Sequence, residues 1–169
     1  MSPDDLLNAL IVRTKEVFKD FPLKTLENQN NPLSGGWKVH KQYPPRVSTD
    51  AYDYSEEDPE KNMFPYVIVK LDIGEKEENQ APQDVRVLFI FATKNEDKDR
   101  AGFDDVLWAE QAMQSDLDKK PNVNGQYLLQ YPLKFAPNGE DRHPYYYMVL
   151  ETNWRMHTHF ELGGQGNGY

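Results

Sequence analysis

The segment Val85–Thr93, with the sequence VRVLFIFAT, constrains the fold more than any other part of this chain. Arg86 is its only charged residue, so both faces of an extended strand there would be apolar. Such a strand needs cover on both faces, as a central strand has when other elements pack on its sheet. We therefore expect Val85–Thr93 to lie in the middle of a sheet.

Three further segments have the composition of strands. Tyr66–Ile73 is rich in β-branched residues, and its alternate apolar side chains share one face. The others are Gln126–Tyr131 and Tyr145–Met156, and we expect Pro132 to end the first of these two. A turn sequence at 137–139 separates them, which fits an antiparallel pair.

A first helix is predicted at the N-terminus. Ser2 is placed to cap it, Pro3 takes the favoured first helical position, and Asp5 completes an approximate capping box. Pro22 marks its end. The apolar stripe consists of Leu7, Leu10, Ile11, Thr14, Val17, Phe18 and Phe21. A stripe this wide indicates that the helix lies on a sheet or on a partner.

A second helix is predicted to begin near Gly102. Asp104 and Asp105 follow at the start, where acidic residues favour a helix and should be solvated. Lys119–Pro121 supplies a basic end and a stop. Its apolar stripe consists of Phe103, Val106, Leu107, Met113 and Leu117. This helix is also expected to pack on the sheet.

The order of these elements predicts an α+β fold, with a mostly antiparallel four-stranded sheet packed with two helices. We expect one domain over residues 1–162, followed by a flexible glycine-rich tail at 163–169. Residues 28–62 lack periodicity and are predicted to form a long irregular arm. Roughly 30 such residues is long for a compact domain, so the arm is expected to be functional or to become ordered against a neighbour.

Composition narrows the possible partners. The chain has 169 residues, a formal net charge of -9 and no cysteine. It has no basic stripe that could neutralise phosphates, so we expect no nucleic-acid binding. It also lacks the roughly 20 consecutive apolar residues of a membrane span. Its start lacks the pattern of a signal peptide, so a cytosolic site of synthesis and residence is the default expectation.

The best candidate for chemistry is His157 with His159 and Glu161. Alternate residues of a strand share a face, so two imidazoles and a carboxylate could converge on one cation in a metal-dependent enzyme. The competing interpretation is an exposed strand end with polar side chains, which the weak spacing favours. Nucleophile and phosphate-binding motifs are absent from the sequence. We predict no catalytic residue and no cofactor.

The strand at Tyr145–Met156 has large side chains on both faces. Trp154 shares a face with Tyr146, whereas Tyr145 and Tyr147 point the other way. Helices could cover both faces, or one face could meet another subunit, where tyrosine and tryptophan are enriched. The sequence leaves both alternatives open.

Several of these segments resemble the phage and prophage tail-assembly proteins of the tail-terminator or minor-tail type. The segments that carry the resemblance include "PYVIVKL" at 65–71, "QYPLKF" at 130–135 and "HPYYYMVLETNW" at 143–154. Val85–Thr93 and the helix start at 102–107 also contribute. The resemblance covers about 63–162, and the N-terminal helix fits it as well.

This resemblance implies a structural virion-assembly protein, a tail terminator that forms a ring, often a hexamer. The ring would end the tail tube and join it to head or neck proteins, in the host cytoplasm during assembly and in the virion tail afterwards. We expect partner contacts at Trp37, Tyr43, Tyr52, Tyr54 and Tyr169, in the arm and the tail. A metal-dependent enzyme and a monomeric module that binds a peptide or small ligand remain as alternatives.

Overall fold

The computed structural model describes residues 2–23, 36–44 and 63–156. Two helices and six strands lie in these ranges. In chain order they are α1 (Pro3–Phe18), β1 (Lys38–Lys41), β2 (Tyr66–Glu75), β3 (Gln83–Lys94), α2 (Ala101–Lys119), β4 (Asn122–Val123), β5 (Tyr127–Pro137) and β6 (Tyr145–Met156). The tail at 163–169 lies outside the described residues.

The strands form one six-stranded sheet in the order β1-β2-β3-β6-β5-β4. Strand β1 pairs with β2 in parallel, and every other pair is antiparallel. The prediction of a mostly antiparallel four-stranded sheet is therefore wrong, although the α+β class is broadly consistent. The missed strands have four and two residues, too few to show a period of two along the sequence.

Strand β1 also corrects the prediction that the arm is irregular throughout. It lies inside 28–62 and pairs with β2 from Lys38 opposite Tyr66 to Lys41 opposite Val69. Parallel pairing joins segments that are distant in sequence, so local patterns carry no signal for it. The rest of the arm falls outside the described residues, except for the short stretches that flank β1.

The position of Val85–Thr93 is confirmed. Strand β3 lies between β2 and β6 and pairs with β6 without a break from Gln83 to Lys94. Side chains such as Phe89 and Phe91 are fully buried in the main core, whereas Leu88 and Ile90 on the opposite face are half-buried. The main core therefore lies on one face of the sheet, and the other face carries a smaller buried cluster that includes Ala92.

Both helices pack on the same face of the sheet. Their buried side chains join one core with those of Val67, Phe89 and Trp154. Helix α1 contacts β1, β2 and β4, although β1 and β4 lie at opposite edges of the sheet. The sheet is therefore curled around α1, and its other face points away from both helices.

The start of α1 is as predicted. The Ser2 hydroxyl accepts a bond from the Asp5 N–H at 3.3 Å, and the Asp5 carboxylate accepts one from the Ser2 N–H at 2.7 Å. The bond from the Ser2 backbone contributes most to a lowered pKa for Asp5. The buried side chains are Leu6, Leu7, Leu10, Thr14 and Phe18. Leu6 adds to the predicted stripe.

Helix α2 is confirmed, but the prediction of which side chains of its first turn face the core was wrong. Phe103 is 39% exposed, so it does not belong to the buried stripe. Asp105 is 1% exposed, so the expectation that it is solvated is also wrong. The helix begins after Arg100, which has a left-handed backbone (φ 61), and Gly102 takes the inward position that Phe103 was expected to fill. Tertiary contact at Gly102 therefore sets the rotation of the first turn.

Strand β5 continues through Pro132, which was expected to end it. The pairing with β6 shifts register between Gln130 and Lys134, so Pro132 lies in an irregular part of the strand. A proline is tolerated at such a place because it need not donate to the ladder there. The β5–β6 hairpin is therefore longer than the sequence indicated.

Candidate interaction face and hairpin cleft

The face of the sheet away from the helices carries a cluster of aromatic and aliphatic side chains. Strand register arranges its members in rows, such as Lys38, Tyr66, Ala92 and Tyr147 across β1, β2, β3 and β6. The next row holds His40, Ile68, Ile90 and Val149. A third row holds Lys94 of β3 opposite Tyr145 of β6, and the ring of Phe64 packs against that of Tyr145. We call these eleven residues the outer aromatic face.

The small side chain of Ala92 lets two tyrosines meet. Ala92 pairs with Tyr66 on one side and with Tyr147 on the other, so both rings can lean over its methyl group. The two hydroxyls share a hydrogen bond. Burial is the main cause of a strongly raised pKa for Tyr66, which keeps its hydroxyl protonated. The centre of the outer aromatic face is therefore held together by its own side chains.

Phe64 extends this packing toward β6. Its ring centroid lies 5.1 Å from that of Tyr66 and 5.5 Å from that of Tyr145. The Lys94 ammonium group lies 5.7 Å from the centroid of the Tyr145 ring, within the range of a cation–π contact. Aromatic pairs at such distances add about 0.5–1.5 kcal/mol beyond the area that they bury.

Strand β1 gives the outer aromatic face a basic edge. Lys38 and His40 share this face, and the His40 ring lies 6.1 Å from that of Tyr66. Within the described part of the chain, Lys38 Nζ and His40 Nε2 have no hydrogen-bond partner. Burial lowers the pKa of Lys38, and burial followed by the charges of Lys38 and Lys15 lowers the pKa of His40.

The remainder of the same face is ionic. Arg86 lies 3.5 Å from the Asp72 carboxylate and 3.6 Å from that of Glu151. Arg155 forms a pair with Asp84 at 2.8 Å. None of the eleven residues of the outer aromatic face is an acid, so carboxylates lie at one end of the sheet and aromatic rings at the other. The face thus has a distinct aromatic, basic region on a chain of net charge -9.

A cleft of about 360 Å³ lies where the start of α2 meets the β5–β6 turn. Arg100 bridges to Asp141 at 2.7 Å, which joins the turn to the helix start, and Arg142 lies 3.3 Å from Glu140 within the turn. The His143 N–H and then Arg100 lower the pKa of Asp141. Asp99 and Asp104 also line the cleft, which makes it acidic. Its volume falls within the range of small-ligand pockets.

Close packing of Gly102 against the Tyr146 ring separates this cleft from the core. A Cβ added there would lie 2.4 Å from a ring carbon of Tyr146. The Tyr146 hydroxyl lies 3.1 Å from His143 Nδ1, so the same ring joins the helix to the turn. We call the space between the α2 start and the turn the hairpin cleft, and the contacts of Tyr146 with Gly102 and His143 hold its two sides together.

The predicted site residues are distributed differently from the expectation. Trp37 is 7% exposed and packs in the main core, with its ring 5.4 Å from Phe18 and 6.4 Å from Phe21. Tyr43 is 69% exposed. Tyr52, Tyr54, Tyr169, His157, His159 and Glu161 lie outside the described residues. Partner binding through these predicted residues remains a prediction.

The sequence identified part of the outer aromatic face. The side-chain alternation of β6 placed Tyr145 and Tyr147 opposite Trp154, as the structure has them. Phe64, Lys38 and Lys94 were missed, because only the strand register brings them beside these tyrosines. The sequence did contain one sign of this packing, because Ala92 is a small residue in a strand of bulky ones and leaves room for neighbouring rings.

In the described ranges, no group of three His, Asp or Glu side chains is arranged to hold a metal ion. Over the same ranges, no helix has the length and apolar character needed to span a bilayer. No known protein family matches the chain, and a search of curated proteins finds no significant relative. The functional argument therefore depends on the geometry of the outer aromatic face and the hairpin cleft.

Proposed function

We propose that this chain is a non-enzymatic assembly subunit that contacts other copies of itself through the outer aromatic face. The observation that supports this proposal is that both described helices lie on one side of the sheet, while the other side holds a second, smaller cluster whose members Ile90, Tyr145 and Tyr147 are only partly buried. Tyrosine is enriched at protein interfaces because it offers a large rigid area and a polar tip. The assembly that we propose is the tail-terminator ring implied by the sequence resemblance.

Charge supports contact between unlike surfaces of neighbouring copies. The outer aromatic face includes Lys38 and Lys94, and none of its eleven residues is acidic, whereas the residues that line the hairpin cleft include more acids than bases. Strand β1 is at one edge of the sheet, and the β5–β6 hairpin lies toward the other edge. A basic region of one copy can therefore face an acidic region of the next. Such a heterologous contact closes into a ring when the rotation between copies allows it.

The first prediction concerns self-association. Val149 is half-buried in the outer aromatic face, so Val149→Glu places a charge where we propose that a second copy packs. We expect wild-type protein to form oligomers in light scattering at micromolar concentration, and Val149→Glu to be monomeric. A stable interface needs about 800 Å² from each partner, so one charge in its middle should weaken association at least tenfold.

Ile73→Glu is the matched control. Ile73 points to the same face of the sheet, opposite Arg86, but it lies at the ionic end and is 53% exposed. This variant should associate like the wild type, and both variants should keep the wild-type circular dichroism spectrum. A wild type that stays monomeric at every concentration would refute self-assembly. Equal association of Val149→Glu and the wild type would refute this face as its surface.

The tail-terminator role has a separate test. Added during polymerisation of purified tail-tube subunits, the wild type should cap tubes and shorten them in electron micrographs, whereas Val149→Glu should not. Normal tube lengths in the presence of an oligomeric wild type would reject the tail role while leaving self-assembly intact.

The hairpin cleft supports a second candidate function, a monomeric binding module. Its volume of about 360 Å³ and its excess of carboxylates suit a small cationic group such as the side chain of a basic peptide. A monomeric wild type would favour this alternative if a lysine-rich peptide shifted the NMR signals of Asp104 and Tyr146. An absence of such shifts would leave the cleft without support as a binding site.

A further inference from the structure

Glu110 lies in the middle of the inward face of α2. It is 0% exposed and belongs to the same buried stripe as Val106 and Met113. Both of its carboxyl oxygens are buried without a hydrogen-bond partner within residues 2–23, 36–44 and 63–156. Buried polar groups normally have partners, because an unmatched one loses its bonds to water without compensation. Glu110 is therefore an exception that needs an explanation.

The elements packed against α2 offer this carboxyl no described counter-charge. Helix α1 contributes Arg13, which is held by Asp116 Oδ2 at 2.5 Å and by the Asp116 carbonyl at 2.6 Å. On the core side, β6 contributes Tyr146, which packs at Gly102, about 12 Å along the helix from Glu110.

The remaining core-facing groups are neutral or lie on α2 itself. The core side of β3 has only the neutral Thr93, whose hydroxyl donates to the Gly102 carbonyl. The ionisable groups of β3, Asp84, Arg86 and Lys94, point to the opposite face. Helix α2 also carries the buried Asp105, another acid. The hydroxyls of Thr14 and Thr152 donate to the carbonyls of Leu10 and Val87.

We propose that Glu110 makes the docking of α2 on the sheet depend on a proton. The helix packs with Glu110 as a neutral acid, and loss of that proton loosens the contact between α2 and the sheet. Among the described residues, no cation is placed to stabilise an ionised carboxylate here, and burial removes it from water. The folded protein would then have to open this region or accept the cost of a buried charge.

The pH range follows from the pKa values of the two states. Burial raises the pKa of Glu110 from its ordinary 4.5 to about 7. Well below pH 4.5 both the folded and unfolded chains hold the proton, so Glu110 does not disfavour folding. As pH rises from there, the unfolded chain loses its proton first, and the folded state becomes progressively less favourable. The effect is complete above about pH 7 and lowers the folding equilibrium constant roughly 300-fold.

The experiment is urea denaturation from pH 5 to pH 8.5, at one fixed protein concentration, for wild type, Glu110→Gln, Glu110→Met and Glu16→Gln. Glu16 is an exposed acid on α1, so its variant should follow the wild type. We expect the wild-type folding constant to fall at least tenfold more over this range than that of either Glu110 variant. Equal pH profiles for wild type and both Glu110 variants would overturn the proposal.

A second measurement on the wild type does not depend on the variants folding. Hydrogen exchange, corrected for the intrinsic effect of pH, should show at least tenfold more frequent opening of α2 at pH 8 than at pH 5.5. The amides of β3 should change less than those of α2. Equal changes in both elements, or none in α2, would overturn the idea of a local proton-dependent contact. The inference does not require that the chain assembles.

Discussion

The Trp154→Ala variant is expected to lose about 3–5 kcal/mol of unfolding free energy, the cost typical of removing a large buried aromatic side chain. Trp154 is 0% exposed and lies between Val85 of β3 and Leu129 of β5 in the sheet. Its indole N–H donates to the Thr152 hydroxyl at 2.8 Å, and that hydroxyl donates to the Val87 carbonyl at 2.8 Å. The variant would leave a cavity and would remove the hydrogen bond that the indole donates to Thr152.

Urea denaturation of Trp154→Ala and Trp154→Phe separates the two contributions. Phenylalanine keeps most of the packed volume but cannot donate to Thr152, so its loss should be smaller, about 1–2 kcal/mol. If Trp154→Ala cost less than about 1 kcal/mol, the side chain could not be close-packed between the sheet and the helices. A loss from Trp154→Phe as large as that from Trp154→Ala would assign the effect to the hydrogen bond instead.

The Gly102→Val variant is expected to separate the start of α2 from the β5–β6 turn. A Cβ at this position would lie 2.4 Å from one Tyr146 ring carbon, 2.6 Å from another and 3.0 Å from the Asn95 Cβ. Overpacking of this kind costs about 1–3 kcal/mol, and the branched side chain adds to it. Gly102→Ala should cost less, because alanine is favoured over glycine in a helix by about 1 kcal/mol.

Gly139→Ala is the control, since a Cβ at Gly139 would meet nothing within 4 Å. Its stability in urea should remain within about 0.5 kcal/mol of the wild type. Because Tyr146 provides the obstacle, Gly102→Val should cost at least about 1 kcal/mol less when Tyr146 is replaced by alanine. An additive double mutant would mean that the ring does not limit the approach of the helix.

Local patterns predicted the elements that depend on neighbouring residues. The capping box of α1 forms between Ser2 and Asp5, three residues apart, so its partners are visible in the sequence. The alternation along β6 separated the face of Trp154 from that of Tyr147, because a strand has a fixed period of two. The central place of β3 followed from apolar side chains on both faces.

The candidate site depended on contacts that no local pattern records. Lys38 and Tyr147 belong to one row only because β1, β2, β3 and β6 pair in one particular register. A shift of one residue in any of these pairs would turn the participating side chains to the other face. The outer aromatic face could therefore be recognised from the sequence only in part, on β6.

The sequence by itself determined the approximate positions of α1, α2 and the four longer strands, apart from the continuation of β5 past Pro132, and it determined that β3 is central. Tertiary structure decided the short strands β1 and β4, the inward position of Gly102 and the burial of Glu110. It also decided that Trp37, predicted at a partner surface, packs on Phe18 in the core. The physical reason is distance along the chain. Periodicity and caps act over a few residues, whereas burial and strand pairing depend on segments that only the folded chain brings together.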